Sequence, residues 1–196
     1  RSLRDGLRRP GQALGLCGPR DCGKSLLQKL ITEFLGGRSA RPYQYMSGGT
    51  QFNADLFQGE HLVIEDEQPS TDHKARRNFG SKIKDLTVNE TQRLHAKNRD
   101  AIVVTPFWRI SVSLNDEAEN ILVLPPLDDS LQDKFILLRA RQTTMPMPSA
   151  TDEERTHFWE TLKEELPAFV DFILGWTIPA EMRSQRFGVT HFHDPD

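Results

Sequence analysis

A chain of 196 residues, 37% apolar and 27% charged, is long enough for one sizeable hydrophobic core and too ordinary in composition to be disordered. Its net charge of −3 hides asymmetry, because cations gather in RSLRDGLRRP and again between positions 74 and 99. The only two cysteines, Cys17 and Cys22, have no metal-ligand spacing, no run is long enough to cross a membrane, and no leader pattern opens the chain. A zinc site, a disulfide scaffold and a membrane span are thereby excluded, and a reducing, cytoplasmic setting is expected.

Residues 1–9 read as a helix ended by Pro10-Gly11, and the opening Arg1 suggests a domain taken from a longer protein. ALGL, residues 13–16, reads as a short buried strand. It runs into LCGPRDCGKS, whose Gly18 and Gly23-Lys24-Ser25 give the spacing G-x-x-x-x-G-K-S. That spacing lets the backbone curl until successive amides of Gly18, Pro19 (which has none of its own to give), Arg20, Asp21, Cys22 and Gly23 surround a phosphate group. Lys24 then reaches the terminal phosphates, and the Ser25 hydroxyl binds Mg2+. ATP with Mg2+ is the cofactor this predicts. SLLQKLITEFL should form the following helix, its N-terminus favouring an anion. The helical period puts Leu26, Leu27, Leu30, Ile31 and Phe34 on one face, and Gly36-Gly37 ends the element.

RPYQYMS reads as a short strand and GGTQFNADLF as a loop entering a short helix. In HLVIEDEQ, Leu62 to Ile64 form a buried-strand run that stops at Glu65, Asp66 and Glu67. Acidic residues at the end of a core strand downstream of a phosphate loop can hold a metal and polarise a water; the alternative is an acidic surface turn. A basic helix is predicted from about Lys74 to Leu86. ETQRLH and DAIVV then flank AKNRD as a hairpin turning at Asn98, with His95, Lys97 and Arg99 presented at the tip. A solvated basic loop is the alternative there. WRISVSLN is a core strand with Ile110, Val112 and Leu114 alternating, ending at Asn115, which taken alone is an ordinary strand-ending residue.

After a polar linker, TTMPMPSA, Thr151 and Glu154 match a capping box for a helix to about Leu166, and a second helical piece spans Ala168 to Trp176. Trp159, Phe169, Phe172 and Trp176 recur near helical spacing and read as packing residues. The terminal THFHDPD reads as solvated rather than metal-binding.

The phosphate loop, the acidic strand end, the basic hairpin and the strand closing on Asn115 together resemble the motifs of superfamily-three helicases. RLHAKNRDAIVV and FWRISVSLNDEAENILVLPPLDDSLQDKFILL look most like the phage and plasmid primase-helicases related to the poxvirus helicase-primase, over about residues 11 to 142. The resemblance implies an ATP-hydrolysing motor, assembled as a homo-hexamer on single-stranded DNA, in a bacterial or phage-infected cell, with a primase module preceding it. It implies metal and water handling by Glu65 and Asp66, with Glu67 an alternative base. It also implies a γ-phosphate sensor at Asn115, DNA contact by His95 and Lys97, and at Lys134 a basic finger that reaches a neighbouring subunit. The family more often has Arg at that place, so Arg139 and Arg141 are alternatives.

The expected fold is a three-layer α/β phosphate-loop nucleotidase of the AAA+ type, with a central parallel sheet. Residues 1–145 form its core and 146–196 a helical C-terminal segment. A DNA-independent ATPase switch and a phosphate-loop kinase are the competing functions. The kinase predicts an arginine-rich lid and an acceptor pocket, with no basic hairpin before Asn115.

Overall fold

The structure, a computed structural model, describes residues 11–65 and 72–195. The expected N-terminal helix and two of the acidic positions, Asp66 and Glu67, lie outside them.

The chain alternates strands and helices around one sheet. In order come β1 (Ala13–Gly18), α1 (Lys24–Phe34), β2 (Ser39–Ala40), α2 (Tyr43–Ser47), β3 (His61–Ile64), α3 (His73–Val88), β4 (Gln92–Leu94), β5 (Ile102–Val104), β6 (Arg109–Asn115), α4 (Ala118–Ile121), β7 (Phe135–Arg139), α5 (Asp152–Gly175) and β8 (Phe192–His193). Six strands pair in the order β2-β3-β6-β1-β7-β8, every pairing parallel. Parallel strands need crossovers, and helices covering the faces explain why β3 and β6 are buried along both. This is the expected α/β architecture with its central parallel sheet. β4 and β5 pair separately as an antiparallel hairpin.

The core joins sheet residues Leu62, Ile64, Ile110, Val112 and Phe135 to Phe79, Ile83 and Leu86 of α3. Trp108, 2% exposed, donates its indole N–H to Leu86 O (3.0 Å), so its polar edge is satisfied inside that core.

Three elements differ from expectation. RPYQYMS is not a strand: residues 43–47 form α2, because Tyr43 and Met46, one helical turn apart, both bury toward α3, with Tyr43 6.0 Å from the Phe79 ring. The two C-terminal helical pieces are one continuous helix, α5, with Pro167 inside it. Pro167 and Lys163 are both exposed, so the carbonyl that the proline deprives of a partner can be hydrated. The capping box at Thr151 and Glu154 forms as expected.

The third difference is the face of α1 that meets the sheet. Leu27 is 40% exposed, and the buried residues are Lys24 and Gln28. Gln28 Nε2 donates to Ser111 Oγ on β6 (2.8 Å) and to Ile64 O on β3 (3.3 Å). Thr32, one turn on, meets His61 Nδ1 at 2.7 Å. Burial against the sheet therefore runs through Lys24 and Gln28 with Thr32 half-buried, spaced four apart, and hydrogen bonds compensate their desolvation except at Gln28 Oε1, which has no partner among the described residues.

Among the described residues no helix is long and apolar enough to cross a membrane. β8 adds to the outer side of β7, with His193 Nε2 3.0 Å from Gln132 O.

Candidate functional site

The phosphate loop sits at the carboxyl end of β1, in the middle of the sheet. Gly18 ends the strand where the chain after β7 passes close by: Ala140 N donates to Cys17 O (2.7 Å), and a Cβ on Gly18 would lie 2.2 Å from Ala140 O. Only glycine fits there. Gly23 is required for a different reason. Its φ of 88° lies in the left-handed region, with nothing within 4 Å of the Cβ position, and it turns the chain into the first residue of α1.

Lys24 is 8% exposed, and its ammonium donates to Gly18 O (2.9 Å) and Pro19 O (2.6 Å) and touches Cys22 Sγ (3.6 Å). The charge is thus held over the loop's own carbonyls, at the mouth of the curl. Burial, followed by the Asp116 carboxylate, pushes the Cys17 thiol up. Arg20 reaches outward to Glu117 (3.4 Å).

Asn115 stands beside this loop. β6 pairs with β1 so that Gly18 and Asn115 are register partners. A cavity of about 1020 Å³ is lined by Arg20, Asp21, Cys22, Gly23, Lys24 and Ser25, with Asn115 on the same wall. Further lining comes from elements the sequence reading did not connect to the loop: Met145 and Ser149 of the linker, and Arg155, Phe158 and Trp159 of α5. Lys29 Nζ lies 3.8 Å over the Trp159 ring and ties α5 to α1. Trp159 is therefore a wall of the cleft. The distal aromatics of α5 do not pack as expected: Phe169, Phe172 and Trp176 are 49%, 60% and 55% exposed.

The residues present fit a nucleoside triphosphate with its metal. The cleft has the size of a small-molecule site; it offers an open left-handed turn, a lysine ammonium, a hydroxyl at Ser25 and the aromatic side chains of Phe158 and Trp159.

Glu65 ends β3, which lies beyond β6 from the loop and so about 10 Å from β1 at ordinary strand spacing. Its carboxylate is held by Arg41 (3.3 Å). Asp66 and Glu67 lie outside the described residues. Lys134 is 5% exposed, ion-paired with Asp133 and stacked 5.0 Å from the Phe187 ring. The side chain read as a finger is thus enclosed by residues of its own chain. Arg139 and Arg141 are exposed.

The hairpin forms at the expected place, with Asn98 at φ 59° in its turn and Lys97 and Arg99 exposed. His95 follows the last ladder pair, Leu94 with Ile102, at the base of the turn, and is docked on the domain instead of being presented with Lys97 and Arg99. Its ring packs on Phe52 (5.1 Å), and its backbone N–H donates to Asn53 Oδ1 (2.7 Å). Asn53, 1% exposed, also donates from Nδ2 to Arg93 O (2.9 Å) and from its backbone to His95 O (3.1 Å). It clamps the hairpin to the domain, a role no local pattern announced. β5 turns Ile102 and Val103 outward, 57% and 71% exposed.

Among solved structures, the chain is similar to the apo structure of the NrS-1 C-terminal region (305–718), at 16% identity and a TM-score of 0.67, covering 91% of this chain and 40% of that one. The A-form apo structure of the same region matches at 17% identity and TM-score 0.62, over 87% of this chain and 38% of that one. A JCV helicase bound to an inhibitor-like acetamide matches at 16% identity and TM-score 0.46, over 84% and 44%. The chain thus spans about two-fifths of the length of the NrS-1 chains it matches. What it shares with them is the fold, the α/β phosphate-loop architecture expected from the sequence. No curated protein matches the sequence. The stretch from Leu16 to Ser130, holding the loop, β3, the hairpin and Asn115, matches the model of a family of unknown function, DUF5906, and the chain belongs to that family.

Proposed function

We propose that the chain is the ATP-hydrolysing core of a DNA helicase of superfamily three, of the primase-helicase type, acting in replication of a virus, phage or mobile element. The observation that carries this reading is the register of Asn115 with Gly18 on a strand whose other end continues from the hairpin. One strand, buried along its length, joins a basic projection to the wall of the cleft.

Bound ATP and Mg2+ supply the phosphoanhydride to be cleaved and the counter-charge on its oxygens. Lys24 exchanges the carbonyls of Gly18 and Pro19 for the terminal phosphates, and Ser25 holds the metal. Glu65, Asp66 and Glu67 share metal binding and water activation, with Asn115 orienting the γ-phosphate or the attacking water. Single-stranded DNA runs against Lys97 and Arg99. A hexameric ring in which Arg139 or Arg141 reaches the next subunit's nucleotide completes the site.

ATP turnover measured with and without single-stranded DNA, alongside a sizing measurement, tests the reading. Stimulation by DNA in a ring-sized species is expected. Turnover indifferent to DNA moves the assignment to a switch ATPase, and phosphate transfer to a small acceptor moves it to a kinase.

A further inference from the structure

The basic helix α3 carries a second charged cleft that neither the nucleotide site nor the hairpin uses. A cavity of about 660 Å³ runs between α3 and the loop from Pro125 to Leu131. Its floor is a close approach: a Cβ on Gly80 would lie 3.2 Å from Pro125 Cβ and 3.3 Å from Leu131 Cδ1. Its lining includes His73, Lys74, Arg76, Arg77 and Lys84 against a single carboxylate, Asp128. Asp128 is engaged by Ser130, whose backbone N–H donates to it at 2.9 Å. Among the described residues, no acidic side chain forms an ion pair with Lys74, Arg76 or Arg77, while Lys84 donates to Ser130 Oγ and, after Ser130, helps hold the Asp128 carboxyl low.

A second observation points to an anion. Arg76 donates from Nη2 to Leu124 O (3.3 Å), while its buried Nε has no partner among the described residues. A buried guanidinium donor left unpaired is costly, and Arg76, which also lines the cleft, keeps hydrogen-bonding capacity that the described residues do not satisfy.

The cations form a row instead of converging. Lys74, Arg77 and Lys84 lie on one side of α3 and extend over ten residues, about 15 Å of helix. A row of that length suits a chain of phosphates better than one phosphate group. The neighbouring face of α3 holds Lys82, stacked 4.3 Å over Tyr45, beside Arg93 of the hairpin in another cleft. That ring belongs to the other cleft; in this one the row of cations alone argues for a chain of phosphates.

We propose that this cleft is a second track for the phosphodiester backbone of single-stranded nucleic acid, on a face of α3 distinct from the one that meets the hairpin. It shares its partner with the function proposed above but depends on neither nucleotide hydrolysis nor contact at Lys97 and Arg99.

The test compares wild type, Lys74→Gln/Arg77→Gln, Lys84→Gln and the hairpin variant Lys97→Ala/Arg99→Ala. Labelled oligothymidylate is titrated at salt from about 50 to 200 mM, with melting curves as a fold control. The Lys74/Arg77 variant should bind about tenfold more weakly at the low-salt end, with a log–log salt slope shallower by about 1.4, for two lost phosphate contacts. The Lys84 variant should lose about half of that slope change, with basal ATP turnover unaltered in both.

Affinity and slope equal to wild type in both α3 variants would overturn the proposal, whatever the hairpin variant does. Loss only in the α3 variants retains it and removes DNA from the hairpin. Poly-glutamate competing as well as oligothymidylate at equal charge would also overturn it, assigning the cleft to an acidic protein segment. Absence of binding by wild type at low salt refutes both tracks.

Discussion

Gln28 and Ser111, 83 residues apart in sequence, meet at 2.8 Å inside the protein and begin a closed ring of hydrogen bonds. Gln28 Nε2–H donates to Ser111 Oγ, which leaves the Ser111 hydroxyl hydrogen for His61 Nε2 (2.7 Å). Thr32 spends its own hydrogen on Gln28 O (3.1 Å), so it accepts from His61 Nδ1–H. Each donor is used once, and the imidazole must be neutral with its proton on Nδ1. A second ring proton on Nε2 would turn the Ser111 hydroxyl from donor to acceptor at His61 and cost the serine hydrogen its partner.

Acid should therefore weaken the fold through His61. Burial lowers its pKa to about 4, from about 6.5 in the unfolded chain. Between those values the unfolded state binds the extra proton, so stability rises with pH. The contribution is complete above about pH 6.5 and falls by about 3 kcal/mol as pH drops through 4. Glu60, held low by Arg38, adds a loss in the same direction at the acid end. Denaturant midpoints at neutral pH and near pH 5 should differ clearly in wild type and less in His61→Gln. Equal pH dependence in the two proteins would put the acid lability elsewhere.

Lys24→Ala should reduce ATP turnover at least about a hundredfold, the scale of losing one charge-stabilising donor. Removing a buried ammonium that is bonded only within the loop, to two carbonyls and the Cys22 sulfur, should leave the melting midpoint near wild type. Near-normal turnover would end the phosphate-loop assignment.

Asn115→Ala should retain nucleotide binding and lose about ten- to a hundredfold in turnover, because the side chain is proposed to act on the γ-phosphate and not to hold the nucleotide. Nucleotide titration and steady-state turnover on the same preparation separate the two effects. A weakened affinity with unchanged turnover would make Asn115 a binding residue only.

The hairpin should divide into a gripping tip and a docked segment at His95. Lys97→Ala/Arg99→Ala should weaken single-stranded DNA binding with little change in stability. Asn53→Ala should do the reverse, costing about 1–3 kcal/mol because the His95 N–H loses its acceptor in a partly buried place. A double variant at His95 and Lys97 would mix these effects. Equal melting curves for Asn53→Ala and wild type would show that the hairpin is held by other contacts.

Gly18→Ala should destabilise by about 1–3 kcal/mol or more, since the new methyl meets a backbone oxygen that has little freedom to retreat. Thermal unfolding measures it directly.

The phosphate loop, β3, the basic helix, the hairpin and β6 were legible because each is specified by neighbours in sequence: glycine spacing, an apolar run, a turn at Asn98. What escaped was specified by distant partners. The leucines of α1 suggest the inner face by periodicity, yet Gln28 and Thr32 occupy it because Ser111 and His61 await them on strands far along the chain. Asn53 reads as a loop residue until the hairpin folds back onto it. Lys134 looks like any exposed cation until the C-terminal segment brings Phe187 over it. In α5 a proline reads as a break, and only its exposure explains why the helix continues.

Both borders of the sheet are two residues long: β2 on one side and β8 on the other. The Arg38–Glu60 ion pair sits immediately beside β2. Such short, charged margins give an incoming strand almost no ladder to extend. Among the described residues, then, the sheet borders favour a ring knit by side chains, helices and loops over one made by fusing sheets. Contacts of that kind can loosen and re-form, as a subunit interface must if it opens and closes with each nucleotide.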